Sequence, residues 1–569
     1  MRWQILPPEE EAEGLVRALG CHPLIAQLLW RRGLQDPAEA ERFLEGRLRD
    51  LPDPAGLAGM DAAVRRLARA LAEDEPITAF GDYDVDGVSS TALLVSFLRA
   101  CGARRVDYHI PHRLRDGYGL GAQAVEALAA RGTRLLVTLD CGITAVSEIE
   151  AAVQRGMEVI VVDHHQTPAS LPPAAAILNP WQPGCSYPTK ELAAVGVTFL
   201  LCTALRRFLR ERGHFASRPE PDLRDYLDLV ALGTVADVVP LVGANRLLVR
   251  AGLRRLGKAD RLGIRALKRV AGMEPDAPVS SGQVGFRLGP RINAAGRLDD
   301  AGRAVELLLA EDPGRAEALA RELDAANAER QSIERSILAE AMAQAEVQKS
   351  KSLVVAGEGW HPGVVGIVAS RLVERFRRPT VVIGLDPETG VGRGSGRSIA
   401  DFDLHAALVR CAELLEGYGG HKQAAGLTIA RERVSEFAQA FSRVAEEKFD
   451  EEAAQPVCVV EGIVRPEELD EPLCEELERL GPFGAGNPEP VLGLLGAEVS
   501  GRVVGASASS PGHLKLRLEE APYVDAIGFG MGGRLEELGR HVDLAFTLSM
   551  DEFRGVRRPQ LKLRAIRSV

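Results

Sequence analysis

Short apolar strands alternate with helices between residues 61 and 163, and this rhythm constrains the fold more than any other feature of the chain. The strands are continuously apolar, which is typical of parallel strands covered on both faces. They are predicted at Ile77–Gly81, Val106–Ile110, Leu135–Asp140 and Val159–Asp163. Helices are predicted at Asp61–Glu73, Val88–Ala100, Ala122–Ala130, Val146–Gln154, Leu192–Glu211 and Leu223–Ala236. The sequence therefore predicts an α/β domain built on a parallel sheet.

The chain of 569 residues is long enough for three or four domains. The stretch Arg315–Gln348 predicts a long charged helix, which is either a bridge between two domains or an ordinary surface helix. A second α/β pattern follows it, and past Val457 mostly alternating strands with glycine-rich turns predict a small barrel. We predict these divisions: short helices at 1–58, the parallel-sheet domain at 59–255, a helical connector at 256–350, a second α/β domain at 351–450 and the barrel at 455–569.

Charge and composition exclude several classes of protein. The formal charge is 69 − 80 = −11, which excludes a uniformly cationic nucleic-acid coat but not a local basic groove. Aromatic residues make up 5%, which argues against broad stacking surfaces. The sequence shows no secretory leader and no apolar run long enough to span a bilayer. The eight cysteines form no CxxC pair, so we expect reduced thiols in a cytoplasmic protein.

Acidic residues and histidines stand where three of the predicted strands and one later helix end. They are Asp82, Asp84, Asp86, Asp140, Asp163, His164, His165 and Asp237. The carboxyl ends of parallel strands meet at one edge of a sheet, where ligands bind in such folds. Carboxylates so close together repel one another unless a cation lies between them. The pattern therefore predicts a pair of divalent metal ions at this edge.

Neither an EF-hand nor helix capping accounts for the whole pattern. An EF-hand loop also opens with the spacing of Asp82, Asp84 and Asp86, but its twelfth position must be a glutamate and is Leu93 here. Helix capping explains a single aspartate but not the whole set. Imidazole among carboxylates shifts the preference from Mg²⁺ or Ca²⁺ towards Mn²⁺. Two such ions can activate water for phosphoryl displacement, so the residues predict a phosphoesterase or pyrophosphatase.

The same residues resemble the four motifs of the DHH phosphoesterase superfamily. The motifs are GDYDVDG at 81–87, TLDCG at 138–142, DHH at 163–165 and the later Asp237. GGH at 419–421, followed by AAG at 424–426, resembles the DHHA1 domain of the second subfamily. Further motifs resemble the RecJ family of single-strand-specific exonucleases: RLRDGYGL at 113–120, YPTKELAAVGV at 187–197, RLGPRINAAGRL at 287–298, HPGVVGIVASR at 361–371, GSGRSI at 394–399 and GPFGAGN at 481–487.

The resemblance implies a fold and a catalytic centre. The fold has two α/β domains, DHH and DHHA1, joined by a long helix around a cleft, and a C-terminal oligonucleotide-binding (OB)-like barrel. Two Mn²⁺ ions, with Mg²⁺ as a substitute, would be held by Asp84, Asp86, Asp140, His164 and Asp237. Asp140 would bridge the ions, and Asp82 would lie in the shell of the second one. His165 would orient His164 or contact phosphate rather than bind metal.

The resemblance also implies a binding site for the end of a nucleic-acid strand. Ser395 and Arg397 would hold a 5′-terminal phosphate, because a hydroxyl and a guanidinium are suitable donors. Gly394 and Gly396 would let the backbone approach this anion. The other candidates for phosphate contacts are Arg113, Arg297, Gly419, Gly420 and His421. Arg113 and Arg297 could equally form structural salt bridges.

The barrel would bind the rest of the strand through a local basic cluster. The cluster comprises Arg554, Arg557, Arg558, Lys562 and Arg564, which on the alternative interpretation form only a solvated edge strand.

The implied function is a 5′→3′ exonuclease that degrades single-stranded DNA to 5′-mononucleotides through metal-activated water, in DNA repair and recombination. Single-strand-binding protein and a helicase are the implied partners, and we expect a monomer. A phosphodiesterase acting on short oligonucleotides or cyclic dinucleotides is the alternative, but such enzymes resemble only the two central domains. A non-catalytic binding protein would have lost metal ligands, whereas every ligand position is filled here.

Overall fold

The computed structural model describes residues 2–113, 115–298, 300–449, 457–507, 511–553 and 556–569, and at 552, 553 and 556 it describes the backbone alone. Arg554 of the predicted basic cluster and the whole boundary from 450 to 455 lie outside these ranges. No helix within the described ranges is both long and apolar enough to cross a membrane.

The N-terminal segment contains a strand that the sequence does not predict. Its elements are β1 (Arg2–Ile5), α1 (Glu13–Leu19), α2 (Pro23–Arg31) and α3 (Pro37–Glu45). The prediction of helices alone was wrong at β1, because this strand pairs with residues more than 450 positions away in the chain. A pairing at that separation leaves no local periodic signal.

The first α/β domain confirms the predicted parallel sheet. Its elements are α4 (Met60–Ala72), β2 (Ile77–Gly81), α5 (Val85–Ala100), β3 (Val106–His109), α6 (Ala122–Ala130), β4 (Leu135–Leu139), α7 (Val146–Gln154), β5 (Glu158–Val162), β6 (Ala176–Leu178), α8 (Ala194–Glu211), α9 (Leu227–Ala236) and α10 (Gly243–Lys258). The five strands lie in the order β3-β2-β4-β5-β6, all parallel. Every residue of β2 and β4 is buried, as their continuous apolar sequence predicts. The short strand β6 was not predicted.

A helical connector leads to the second domain. It contains α11 (Leu262–Val270), α12 (Ser281–Gln283), a π-helical turn (Val284–Leu288), α13 (Gly289–Leu298), α14 (Gly302–Leu309) and α15 (Pro313–Glu346). The 34 residues of α15 span about 50 Å. Leu319 and Leu323 in its first half belong to the core of the first domain, and Ile337 and Ala341 in its second half belong to a core of the next. The long helix is therefore the bridge between two domains.

The second α/β domain is built on a mixed sheet. Its elements are β7 (Leu353–Glu358), α16 (Val365–Phe376), β8 (Thr380–Leu385), β9 (Val391–Arg397), α17 (Leu404–Arg410), β10 (Gly417–Gly420), β11 (Ala424–Ala430) and α18 (Val434–Lys448). The order is β10-β11-β9-β8-β7, in which only β7 and β8 pair in parallel.

The glycine-rich GSGRSI stretch lies mainly in β9. A Cβ at Gly394 would be 2.8 Å from Leu427, and one at Gly396 would be 2.8 Å from Leu404. These two glycines therefore make room for leucines of the core, rather than for the anion expected from the sequence.

The C-terminal region forms the predicted barrel. Its elements are β12 (Val457–Val460), β13 (Gly462–Ile463), α19 (Glu471–Arg479), β14 (Leu492–Val504), β15 (His513–Leu518), β16 (Asp525–Gly528), β17 (His541–Phe553) and β18 (Val556–Ser568). The strands run β14-β15-β16-β18-β17, and β17 pairs back with β14 to close the barrel. β12 pairs in parallel with β1, and α1 to α3 share the hydrophobic core of the barrel. The two ends of the chain thus form one unit.

Arg246 of α10 joins the first α/β domain to this unit. Its guanidinium donates hydrogen bonds to the carbonyl oxygens of Phe43 (3.1 Å), Arg479 (3.0 Å) and Leu480 (2.7 Å). It also lies 3.6 Å from the centre of the Phe43 ring. One buried side chain therefore serves three carbonyls from the N-terminal helices and the end of α19.

We expect Arg246→Met to lower the free energy of unfolding by about 3 kcal/mol, because it leaves three carbonyls at this junction without their donor. Urea unfolding followed by tryptophan fluorescence measures the effect. Arg254→Met, at an exposed position of the same helix, should stay within about 0.5 kcal/mol of the parent. Equal unfolding midpoints for the two variants would contradict the joining role of Arg246.

Candidate metal centre

The ends of three neighbouring strands bring the predicted acids together. Asp82 follows β2, Asp140 follows β4 and Asp163 follows β5, and these strands are adjacent in the sheet. Asp84 and Asp86 stand at the start of α5, and Asp237 ends α9. Ligand atoms come within 4.8 Å of one another in three groups: Asp82, Asp84 and Asp140; Asp86, His164 and Asp237; and Asp140, His164 and His165. The structure thus unites all seven predicted catalytic residues.

Asp140 lies between the two halves of the cluster. It belongs to the group with Asp82 and to a group with His164, and one of its carboxylate oxygens is 3.2 Å from His164 Nε2. Asp237 Oδ2 is 3.6 Å from the same nitrogen. Asp140 has a φ of 64°, a left-handed conformation that is uncommon outside glycine. Asp140 is therefore shared between the group that contains Asp82 and a group that contains His164, and its role as a bridge between two ions stays a prediction.

The donor atoms fit a divalent cation. Among the described residues, four buried atoms of this cluster have no hydrogen-bond partner: Asp82 Oδ1, Asp140 Oδ1, His164 Nε2 and Asp237 Oδ2. The contacts of His164 Nε2 with the two carboxylate oxygens do not have hydrogen-bond geometry. Buried polar atoms without a partner are costly, and here they come from one cluster. Carboxylate oxygens with one imidazole nitrogen suit Mn²⁺ or Mg²⁺. The residues present therefore fit the predicted metal pair.

The electrostatics of the cluster also favour bound positive charge. Burial and the charge of Asp84 raise the pKa of Asp86 to about 7. Burial and the charge of Asp86 raise the pKa of Asp237 to about 9, and burial raises the pKa of Asp82 and Asp140 well above its usual range. Without a cation, several of these carboxyls hold protons at neutral pH. A bound divalent cation would take the place of those protons.

The two adjacent histidines differ in charge. Burial and the neighbouring His165 lower the pKa of His164 to about 4, which leaves its imidazole neutral and able to bind metal. Burial opposes protonation of His165, but the hydrogen bond with Asp163 (2.8 Å to Nδ1) raises its pKa to about 9. In the cluster without metal, His165 is therefore the imidazole that more readily carries a proton, which suits it to contact phosphate.

Asp163 positions both histidines. Its carboxylate accepts hydrogen bonds from the backbone N–H of His164 (2.7 Å), His165 (3.0 Å) and Ile143 (3.0 Å), besides the His165 ring. Its oxygens are therefore already occupied. The sequence places Asp163 at the end of a strand but does not reveal this orienting role.

Two of the predicted ligands also hold helices in place. Asp84 accepts hydrogen bonds from the N–H of Asp86 (2.9 Å) and Gly87 (3.1 Å) and so caps α5. Asp86 accepts from the N–H groups of Ala194 (2.7 Å) and Val195 (2.9 Å) at the start of α8. Capping, which was the alternative to metal binding for a single aspartate, is thus observed at both positions, and both aspartates remain candidate metal ligands.

Three arginines and a serine form a second, cationic site, here called the arginine pocket. Its members are Arg113, Arg297, Ser395 and Arg397. Burial and the charges of Arg113, Arg330 and Arg397 lower the pKa of Arg297 to about 10. Burial and Arg113 likewise lower the pKa of Arg397, whose Nη1 donates to Ser395 Oγ (2.9 Å). Like charges held together in this way favour binding of an anion.

The arginine pocket adjoins the acidic cluster formed by the predicted metal ligands. The Arg113 guanidinium lies 4.9 Å from the ring centre of Tyr83, which stands between Asp82 and Asp84. Arg297 donates to the carbonyl of Gly363 (3.0 Å), just before α16, and so links the two α/β domains. A Cβ at Gly366 of α16 would be 2.9 Å from Ser395 Oγ, so the glycine allows the helix to approach the pocket.

The remaining predicted contacts lie further along the sheet or on the barrel. Gly419 and Gly420 belong to the edge strand β10, and Gly419 pairs with Gly426, which in turn pairs with Ser395. His421 is exposed, and its N–H donates to the Ala424 carbonyl (2.8 Å). Their contact with substrate stays a prediction. On the barrel, Arg557 and Arg564 form ion pairs with Glu471 and Glu489, both 3.2 Å, so these two charges are partly neutralised.

Three domain families match the chain in the order of its domains. Residues 76–234 match the DHH family, N-terminal domain; residues 349–447 match the DHHA1 domain; and residues 460–565 match the RecJ OB domain.

Relatives of known name match nearly the full length. The single-stranded-DNA-specific exonuclease RecJ of Bacillus subtilis (strain 168) is 39% identical over 99% of this chain and 70% of its own length. The protein of that name from Escherichia coli (strain K12) is 40% identical over 95% of both. The crystal structure of RecJ from Thermus thermophilus in complex with Mn²⁺ superposes with a TM-score of 0.84 at 33% identity, covering 100% of this chain and 80% of that one. The structure of that relative with Mg²⁺ gives a TM-score of 0.77.

These matches follow the same domain order as the fold and place Mn²⁺ or Mg²⁺ in a relative of the same architecture. The chain belongs to the RecJ family of the DHH phosphoesterase superfamily.

Proposed function

We propose that the protein is a metal-dependent exonuclease that degrades single-stranded DNA from the 5′ end and releases 5′-mononucleotides. The observation that carries the proposal is the adjacency of a buried acidic cluster, which requires cations, to an arginine pocket, which requires an anion. A terminal phosphate in the pocket would bring the first phosphodiester bond towards the cluster. The relatives named as single-stranded-DNA-specific exonucleases support the substrate class.

The side chains divide the catalytic work. Asp82, Asp84 and Asp140 would hold one divalent cation, and Asp86, His164 and Asp237 would hold the other, with Asp140 between them. When bound, the cations activate water and neutralise charge on the phosphate oxygens.

Other groups orient the substrate. His165, whose pKa the hydrogen bond with Asp163 raises, would donate a hydrogen bond to the phosphate. Ser395 and Arg397 would receive the 5′-terminal phosphate, while Arg113 and Arg297 would contact it or the next phosphate. Gly419, Gly420 and His421 would contact the strand from the second domain.

The barrel favours a polymer over a small substrate. A phosphodiesterase for dinucleotides would leave the barrel, and the N-terminal helices that share its core, without a role. We propose that this unit binds the strand beyond the catalytic centre, as OB folds do. The division into domains at 59–255, 351–450 and 455–569 remains part of this proposal.

The biological setting is also proposed. We infer roles in DNA repair and recombination, with single-strand-binding protein and a helicase as partners and a monomer as the working form. A cytoplasmic location is in keeping with the eight cysteines, which are all free.

We expect a long single-stranded DNA with Mn²⁺ to lose a 5′ label at once as a mononucleotide, while a 3′-labelled copy shortens stepwise. Gel analysis of the two labelled samples measures this. His164→Ala should lower the rate by at least about 100-fold and keep strand binding, since it removes a ligand without disturbing a helix cap. Intact long DNA together with cleaved dinucleotides would instead support the small-substrate alternative.

We expect a 5′-phosphorylated strand to be degraded roughly tenfold or more faster than a 5′-hydroxyl strand, because charge-assisted hydrogen bonds hold the phosphate. Arg397→Gln should abolish most of this difference. Arg393→Gln, at an exposed position of the same strand β9, should retain it. The ratio of initial rates on the two substrates is the measurement, and an unchanged ratio in Arg397→Gln would refute the pocket assignment.

We expect Mn²⁺ to raise the melting temperature more at about pH 8 than at about pH 6. The pKa values of Asp86 and Asp237, about 7 and 9, lie above their unfolded values, so the metal-free fold binds extra protons and loses stability as pH rises through this window. Mn²⁺ must displace those protons to bind. For each displaced proton, the apparent affinity for Mn²⁺ rises about tenfold per pH unit. Thermal melts with and without Mn²⁺ measure this, and equal shifts at both pH values would contradict it.

A further inference from the structure

Phe286 has the most exposed large apolar side chain in the part of the chain that the structure describes. The ring is 86% exposed, whereas Val284 and Leu288 on either side of it are fully buried. The flanking residues thus anchor the segment while the ring remains in solvent. In a chain with few aromatic residues, leaving a phenylalanine in water has a cost that a binding partner would offset.

The backbone around Phe286 is unusual as well. Residues Val284–Leu288 form a single π-helical turn between α12 and α13. Such turns are rare and occur frequently at functional sites. The Ser280 hydroxyl accepts from the Gln283 N–H (3.2 Å), and the Gln283 side chain accepts from the Ser280 N–H (2.9 Å), so the start of the segment is capped.

The π-helical turn lies between the acidic cluster and the unit formed by the barrel and the N-terminal helices. At its end, a Cβ at Gly289 would be 3.5 Å from Ala236 and 3.9 Å from Val85, the neighbours in sequence of Asp237 and Asp84. Before it, Ser281 Oγ donates to the carbonyl of Phe483 (2.5 Å) in the loop that leads to the barrel. A DNA single strand that runs from the acidic cluster to the barrel would therefore pass this turn.

A second exposed apolar side chain directly follows Asp237, one of the candidate metal ligands. Val238, directly after Asp237, is 69% exposed and has a φ of 60°. A β-branched residue in the left-handed region is a strained outlier, and such strain clusters at functional sites. Exposed apolar surface thus lies next to the acidic cluster on two separate segments.

We propose that Phe286, on the π-helical turn between the acidic cluster and the barrel, stacks on one nucleobase of the bound single strand. The inference rests on the proposed exonuclease function and adds a base-binding subsite to it. Aromatic stacking accepts every base, because each has a π face, so the subsite holds the strand without reading its sequence.

The test uses the full chain without divalent metal, so that the strand is bound but not cleaved. A 5′-phosphorylated oligonucleotide carries one 2-aminopurine, whose fluorescence falls on stacking, at successive positions from the 5′ end. We expect quenching at one or two adjacent positions with the parent protein and with Phe286→Trp. Phe286→Ala should lose it there and bind about tenfold more weakly.

An abasic nucleotide at the quenched position provides the cross-check. The abasic strand should bind the parent protein more weakly than the normal strand does, by about the same factor as the Phe286→Ala substitution causes. Phe286→Ala itself should bind the normal and the abasic strand with equal affinity. Val347→Ala, which removes another highly exposed apolar side chain at the end of α15, is the matched control and should behave as the parent. Melting temperatures should agree for all variants, because the ring packs on no core.

The outcomes separate the two proposals. Unchanged quenching and affinity in Phe286→Ala would overturn the stacking subsite. It would also be overturned if Phe286→Ala lowered affinity equally for the normal and the abasic strand, because the ring would then act through contacts within the protein rather than on a base. A parent protein that binds and quenches but leaves DNA intact with Mn²⁺ would overturn only the exonuclease proposal. A parent protein that binds no single strand would overturn both.

Discussion

Repulsion among buried carboxylates is the constraint on which the rest of this structure depends. Six acids, Asp82, Asp84, Asp86, Asp140, Asp163 and Asp237, meet at one edge of a parallel sheet, and burial raises the pKa of most of those that would bind metal. The fold tolerates them because several also serve the backbone: Asp84 caps α5, Asp86 holds the start of α8, and Asp163 fixes the two histidines. The proposed catalytic centre and the packing of the surrounding helices therefore depend on the same side chains.

Opposite charges occupy the two sides of the catalytic region. The acidic cluster belongs to the first α/β domain, while the arginine pocket takes Arg113 and Arg297 from one side and Ser395 and Arg397 from the other. Long-range contacts hold this arrangement together: α15 is buried in the cores of both domains, and Arg297 donates to Gly363 across their junction. Arg246 fixes the first domain to the unit formed by the chain ends. A phosphate chain suits such a surface, because it needs cations at the scissile bond and donors at its end.

Much of the fold could be predicted because the relevant signals are local. The strands β2 and β4 are continuously apolar, and α15 is a long run without glycine or proline after its first turn. The acids at the strand ends follow from the same reasoning. The strand β1, the strand β6 and the placement of GSGRSI in β9 could not be predicted in this way. Their sequences are short or glycine-rich, and their pairing partners or packing neighbours are decided by distant residues such as Leu427 and Leu404.

The sequence by itself determined which chemical groups are available. It also determined that parallel strands bring them to one edge of a sheet, since the alternation of apolar strands with helices can be recognised from local sequence. Only the tertiary structure decided the charge and contacts of each group. His164 and His165 are adjacent residues of the same type, yet burial lowers the pKa of the first and the hydrogen bond with Asp163 raises the pKa of the second. Phe286 likewise resembles any core phenylalanine until packing buries Val284 and Leu288 and leaves its ring in solvent. Burial and electrostatic coupling are sums over residues distant in the chain, and for that reason local sequence does not contain them.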